Sequence, residues 1–368
     1  MIFKIRSKLN YIAVSAVSIF AVLGQTDTAL GQDMDFSGKT IRMVMNAGAG
    51  STPDLINRQL IPFITAQLKG NPKFIAENKP GGRGKAGASF VFNQAKPDGL
   101  TIGALGRITP AWALGQKMPV AMEKFKLIGA RGSNQLLIIG PSSKAKNIDQ
   151  MVKLSAPIIF GTSSPFLSTS IRLRMFWDMI GAPYKLISGY RGQQKTLPAL
   201  NGGEIDMGTM NAEFFLPNRA TWSSDLKING FMQMGYFAED GSLKAQDDGL
   251  GLESLPQALK RLAPSKIGSK MHKTWVDMFK SQSLTLIYVL PPNTPANIVK
   301  QWSAIMEEAY TGSGYSKLRA SRKIGSPFFV PAATAQARMT NFSTMHKRPD
   351  FKEVYSKYGP KKKKQKRK

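Results

Sequence analysis

Residues 77–99 read ENKPGGRGKAGASFVFNQAKPDG, and this stretch decides the fold. Phe74, Ile75 and Ala76 close a short apolar strand before it. Lys79-Pro80-Gly81-Gly82 breaks regular structure, because proline lacks an amide donor and glycine tolerates positive φ. Gly84 and Gly87 continue the loop, and from Ala86 the spacing of Phe90, Val91, Gln94 and Ala95 is helical. Pro97-Asp98-Gly99 is a turn. Strand, glycine loop and helix together leave backbone N–H groups unpaired at a helix start, with Arg83 and Lys85 near them. In physical terms that is an anion cradle.

Sharper phosphate motifs do not fit. Gly82-x-Gly84-x-x-Gly87 has the dinucleotide spacing, but no acidic residue follows about 20 positions on to hold a ribose. Gly84-Lys85 is followed by Ala86, and no glycine stands five places before Gly84, which excludes a P-loop. A glycine turn without a ligand is the plain alternative.

The same plan precedes this stretch. Lys39–Asn46 reads as a strand, and 47–52 (AGAGST) as a second glycine loop. Pro53 and Asp54 open a helix to about Lys69, with Leu55, Ile56, Leu60, Ile64 and Leu68 on one side. Leu100–Leu105 is the next strand, ending at Gly106 and Arg107. Strands and helices that alternate over short links predict a parallel, doubly wound sheet, whose ligands bind beyond the carboxyl ends of the strands. Leu136–Ile139 is expected to cross to a second lobe of the same build. There Ile158–Phe160 leads into Gly161-Thr162-Ser163-Ser164, Lys185–Ser188 into Gly189-Tyr190-Arg191, and Ile205–Met210 into Asn211. Helix capping needs only one of these hydroxyls, which leaves others for a ligand. Residues 239–283 give the weakest pattern, with one helix suggested by His272, Trp275 and Phe279. Leu284–Leu290 is a strand that returns the chain to the first lobe. Helices are expected at 298–310, near 315–323 and at 332–345. The methionines fall at core-like positions and read as packing.

Composition bounds the function. The chain has 368 residues, 42% of them hydrophobic, enough for two domains. It has no cysteine and two histidines, His272 and His346, so a thiolate, a cysteine metal site, a histidine cluster or a Ser-His-Asp triad is poorly supported. No cofactor or metal is expected. Lys4, Arg6 and Lys8, an apolar run from Tyr11 to Gly24 and the small residues Ala29–Gly31 predict a secretory signal over 1–31. Net charge is +28; residues 1–31 carry three basic and one acidic side chain and residues 361–368 seven basic ones, so the body itself stands at +19. A basic body favours anionic partners. The tail KKKKQKRK reads as a solvated extension, and an exported chain gives no reason to expect nucleic acid.

These residues resemble the Bug family, the periplasmic substrate-binding proteins of tripartite tricarboxylate transporters. Three runs carry the resemblance. The first is Gly50-Ser-Thr-Pro-Asp54-x-x-x-Arg58. The second joins Glu77-Asn78-x-Pro80-Gly81-Gly82-x-Gly84 to Pro97-Asp98-Gly99-x-Thr101-Ile102. The third runs from Gly189-Tyr190-x-Gly192 to Leu200-x-Gly202-Gly203-Glu204-Ile205-Asp206. Pro291-Pro292-x-x-Pro295 is similar to a fourth family turn.

The resemblance implies an α/β, two-lobed periplasmic-binding fold of type II kind, with the ligand cleft between lobes. It divides the chain into a signal (1–31), lobe 1 (32–135 and 285–360), lobe 2 (136–284) and the basic tail (361–368). It implies a monomer without enzymatic activity that binds a small organic carboxylate by hinge closure and delivers it to integral-membrane transporter subunits. The expected ligand-binding set is Gly50, Ser51, Thr52, Gly81, Gly82 and Arg107 from one lobe, with Thr162, Ser163, Ser164, Arg191 and Asn211 from the other. An extracytoplasmic sensor for a receptor kinase would use the same site. A hydrolase would need a base beside one of the serines, and an adhesin would depend on the lysine tail.

Overall fold

The computed structural model describes residues 34–132, 135–238, 240–245, 250–321 and 329–360. The expected signal and the lysine tail lie outside the described residues.

The first lobe opens with β1 (Thr40–Met45), α1 (Thr52–Thr65), β2 (Lys73–Asn78), α2 (Lys85–Asn93), β3 (Thr101–Gly106), α3 (Ile108–Ala113) and β4 (Lys126–Arg131). The second lobe holds β5 (Gln135–Ile139), α4 (Ile148–Met151), β6 (Ile158–Thr162), α5 (Ser168–Ile180), β7 (Tyr184–Ser188), α6 (Gln193–Asn201), β8 (Met207–Asn211), α7 (Ala212–Asp225) and β9 (Asn229–Gln233). A small ribbon, β10 (Tyr236–Phe237) with β11 (Leu243–Lys244), precedes α8 (Leu255–Leu262) and α9 (Lys270–Gln282). The weakest stretch of the sequence therefore holds two helices, not one. The chain ends with β12 (Leu286–Leu290), α10 (Ala296–Thr311), α11 (Ser313–Ser321), β13 (Phe329–Val330), α12 (Ala332–Met345) and α13 (Pro349–Tyr358).

The two sheets share one layout. The first runs β13-β4-β12-β3-β1-β2 and the second β7-β6-β8-β5-β9. In each, the three strands at one end are parallel, and a strand from the interlobe connection enters the fourth place antiparallel to both neighbours. That strand is β12 in the first sheet and β5 in the second. The parallel strands expected from the alternation of strand and helix are thus joined in each sheet by antiparallel ones. A strand that enters from the opposite lobe starts at the carboxyl edge and must run back against its neighbours.

Alternation places the core on both faces of the first sheet. Met43, Met45, Ile102 and Tyr288 pack with Leu60 and Ile64 of α1 and with Trp302, Met306 and Tyr310 of α10. Val44, Leu105, Ile287 and Val289 face the other way, toward Val91, Ile108 and Met339. On α1, Leu55 is 41% exposed, contrary to its expected place on the apolar side; Asp54 and Asn57 are buried there instead.

One apolar cluster runs without interruption from α2 and α3, through α9, to α5 over the second sheet. Helix α13 belongs to this layer. Tyr358 donates to Asp178 of α5 at 2.6 Å, Arg174 of α5 donates to the Tyr358 carbonyl, and Arg348 meets Asp277 of α9 at 2.5 Å. The C-terminal helix thus packs against second-lobe structure, although its sequence neighbours lie in the first lobe.

Candidate functional site

The strand ends bring the two halves face to face. Arg131, the last residue of β4, pairs with Leu286, the first of β12, at the carboxyl edge of the first sheet. Gln135, the first residue of β5, pairs with Asn211, the last of β8, at the carboxyl edge of the second. Four residues of chain span at most about 14 Å. The two carboxyl edges therefore face one another, with the turns they carry between them.

In the first lobe these turns are tied to one another. Asn46, buried at the end of β1, receives the Gly106 amide at 2.7 Å and donates to the Gly84 and Gly106 carbonyls. It joins the ends of β1 and β3 to the loop before α2. That loop passes so close that a Cβ at Gly84 would fall 2.4 Å from Asn46 Nδ2, and one at Gly87 2.7 Å from Asn46 Cβ. Gly82, Arg83 and Gly84 all have positive φ, which turns the chain sharply into α2. The turn after β1 is held by Asp54. Its carboxylate accepts the Gly50 amide (2.9 Å), Asn78 Nδ2 (2.8 Å) and Arg58 Nε (2.9 Å), and Asn78 also donates to the Ala47 carbonyl. Burial alone would raise the Asp54 carboxyl, but these donors outweigh it and hold it below the ordinary carboxylate range.

The expected ligand residues of this lobe thus divide. The Gly50 amide is committed to Asp54 and the Ser51 amide to the Gly48 carbonyl at 3.2 Å. Ser51 Oγ is enclosed and has no partner among the described residues. Thr52 begins α1. Gly81 and Gly82 are exposed. Arg107, at φ 62, donates its amide to the Thr285 carbonyl at 2.7 Å, and its exposed guanidinium has no partner among the described residues.

In the second lobe, Thr162 Oγ1 lies 2.8 Å from Ser170 Oγ, and Ser170 donates to the Ser164 carbonyl. The Thr162 carbonyl accepts the Gly189 and Tyr190 amides, which binds the turn after β7 to the end of β6. Ser164 Oγ accepts the Phe166 amide at 3.3 Å. Of the three neighbouring hydroxyls, Ser163 alone has no partner among the described residues, and it is half-buried. Arg191 is exposed with its guanidinium free among the described residues. Asn211 closes β8 and precedes α7.

Three residues that the sequence reading did not single out cross between the lobes. Glu213, in the first turn of α7, accepts Arg131 Nη2 at 2.6 Å and Arg319 Nη1 at 3.0 Å. Arg131 ends β4 and Arg319 lies on α11, so one second-lobe carboxylate is clasped by two first-lobe guanidiniums, all three nearly buried. Burial works to raise the Glu213 carboxyl, and the two arginines reverse this and hold it below its ordinary range. Behind them, Tyr288 donates to Asn57 at 2.7 Å and lies 2.6 Å from the Tyr310 hydroxyl.

Apolar surface also gathers at the facing edges. Leu55 (41% exposed) lies in the first turn of α1, and Phe166 (42%) and Leu167 (45%) lie at the start of α5. Among the described residues no group of three His, Asp or Glu could hold a metal, and no helix is long and apolar enough to cross a membrane.

No protein-family model matches the chain, and no curated protein matches it. Solved structures do. A TctC solute-binding protein from Polaromonas, without ligand, superposes at TM-score 0.59 with 16% identity, over 86% of this chain and 98% of that one. The periplasmic binding protein BugD superposes at 0.57 with 17% identity, over 87% and 97%. A Rhodopseudomonas palustris protein with adipate superposes at 0.59 with 15% identity, over 87% and 96%. Likeness at such identities establishes the architecture alone: the chain shares the two-lobed fold of periplasmic solute-binding proteins of the TctC and BugD kind.

Proposed function

We propose that the protein is an exported solute-binding protein of the periplasm, which captures a small organic carboxylate between its lobes and delivers it to the membrane subunits of a tripartite tricarboxylate-type transporter. The observation that carries this reading is the pair of facing carboxyl edges, each lined with glycine and hydroxyl turns. The structural neighbour that holds adipate supports the ligand class.

In this reading Thr52, Gly81 and Gly82 present amides from the first lobe, with Ser51 shaping the turn beside them, and Ser163 and Asn211 answer from the second. Arg107 and Arg191 supply full charge, because a guanidinium matches a carboxylate bidentately. Gly50, Thr162 and Ser164 act by holding their turns in shape. A carboxylate that touches both sets stabilises the closed form through contacts the open form lacks. Among the described residues Ser163 has neither a histidine nor a carboxylate as partner, which supports binding over hydrolysis.

A thermal-shift screen of small carboxylates on the mature protein, followed by calorimetry, tests this. A true ligand at a hundredfold excess over its Kd stabilises by about 2.7 kcal/mol. Replacing Thr162, Ser163 and Ser164 together with alanine abolishes that shift. A shift that survives intact removes this loop from the site, and turnover of the bound acid overturns the non-enzymatic reading.

A further inference from the structure

Arg172 stands one turn into α5 and is only 2% exposed. Its Nε is wholly enclosed and has no acceptor. Its terminal nitrogens have no acceptor among the described residues, and no carboxylate pairs with it. Its favourable contact is the face of Phe279, 4.4 Å from the ring centre. A ring face offsets only part of the penalty for burying a cation. Burial pushes this guanidinium down to about 9, which leaves it charged at neutral pH.

Ser168 lies four residues earlier, on the same face of α5. It is 8% exposed and its hydroxyl has no partner among the described residues. Arg172 belongs to the junction of α5 with α9, and Ser168 lies one turn before it on α5. The two helices run antiparallel there, since Phe176 stacks on Trp275 while Arg172 meets Phe279. The start of α5 therefore lies beside the end of α9. Near that end Ser281 donates to the Met278 carbonyl, Ser283 to Lys280 and Thr285 to Gln282, and none of the three hydroxyls is bonded to Arg172 or Ser168. Two buried donors, one of them a full charge, have no acceptor among the described residues, at the positive end of α5 and beside the carbonyl end of α9.

The geometry points to an anion site at the α5–α9 junction, where Arg172 and Ser168 hold a carboxylate or an ion of similar size. Two sources share this chemistry: a small anion from the medium, or an acid group of the cargo in the proposed cleft. A guanidinium accepts a carboxylate through paired N–H donors, and the serine hydroxyl adds a third.

Sodium formate titrated into the purified full chain at constant ionic strength, with no cargo present, separates the two sources. The readouts are Tm and calorimetric heat. Formate from the medium raises the wild-type Tm in a saturable way. Arg172→Met then loses that response, and in anion-free buffer it melts no lower than wild type. Arg172→Lys keeps a response, and Ser168→Ala raises the half-saturating concentration roughly 3- to 10-fold, the loss of one hydrogen bond. If formate has no effect but a carboxylate from the screen binds Arg172→Met at least tenfold more weakly than wild type, the cargo's own acid group is the anion. The proposal is overturned if Arg172→Met, or Ser168→Ala should the former not fold, responds to formate and to cargo as wild type does. The formate arm does not depend on the proposed cargo, so its result stands even if the transport reading fails.

Discussion

Two arginines lie nearly buried, Arg131 where the lobes meet and Arg172 within the second lobe, and their surroundings are opposite. Arg131 shares Glu213 with Arg319 and is backed by Tyr288, Tyr310 and Tyr315. Arg172 has a phenyl face and, among the described residues, no hydrogen-bond acceptor. The first environment keeps a charge by giving it a partner from the other lobe, so it joins the lobes. The second keeps a charge with a ring face but no hydrogen-bond partner among the described residues, which a structural role alone does not require. The contrast separates a cation that holds the fold from one that awaits a ligand.

The largest effect should come from breaking the clasp. Glu213→Ala leaves two guanidiniums uncompensated in the interior and should cost about 3–5 kcal/mol in urea or thermal unfolding. Arg131→Met should cost less, since Arg319 still answers the carboxylate, while Arg172→Met in anion-free buffer should cost little or nothing. Equal losses for both arginines would erase the contrast. The clasp also has a pH signature. The Glu213 carboxyl titrates lower in the folded chain than in the unfolded one. Its contribution is therefore fully present above the unfolded value of 4.5 and is lost as pH falls through the lower folded value. The gap between wild type and Glu213→Gln should narrow on acidification through that window and stay constant above it.

A second, smaller loss is expected within the first lobe. Asp54 gathers Gly50, Arg58 and Asn78 around one carboxylate. Asp54→Ala should destabilise by about 2 kcal/mol, because water replaces only some of these bonds. Cargo affinity should fall with it as the turn at 47–52 loosens, and calorimetry on the variant measures both effects. If affinity is unchanged, this turn is not part of the site.

Much of the frame was legible in the chain. Turns such as Pro97-Asp98-Gly99 and the runs ending at Asn78 and Ser188 have local causes, and local causes can be read locally. Leu136–Ile139 and Leu284–Leu290 were placed as crossing strands, but their antiparallel sense depends on which edge they enter from, which no local pattern states. Helix α7 (AEFFLPNRATWSSD) clusters its apolar residues and contains Pro217, so it shows no helical period. With α7 and β4 unread, Arg131 and Glu213, 82 positions apart, could not be brought together. At the turns, residue type was legible and commitment was not. Gly50 was expected to offer its amide to a ligand, yet Asp54 takes it from four residues away. Three hydroxyls at 162–164 looked equivalent, yet two have duties within the protein.

The smallest effect tests that last distinction. Thr162 and Ser163 are neighbours with similar side chains, but Thr162 Oγ1 sits 2.8 Å from Ser170 Oγ while Ser163 has no partner among the described residues. Removing a paired buried hydroxyl loses the net value of its hydrogen bond, so Thr162→Val should lower the unliganded stability by about 1 kcal/mol. Ser163→Ala removes a group that bonds to nothing in the unliganded chain and should leave that stability unchanged. If Ser163 faces the cargo, the same change weakens binding about 3- to 10-fold, again the value of one hydrogen bond. The two substitutions thus exchange their effects between the unliganded melt and the binding isotherm. Should Ser163→Ala move neither measurement, the second lobe must grip its anion through Arg191 and Asn211 without this hydroxyl.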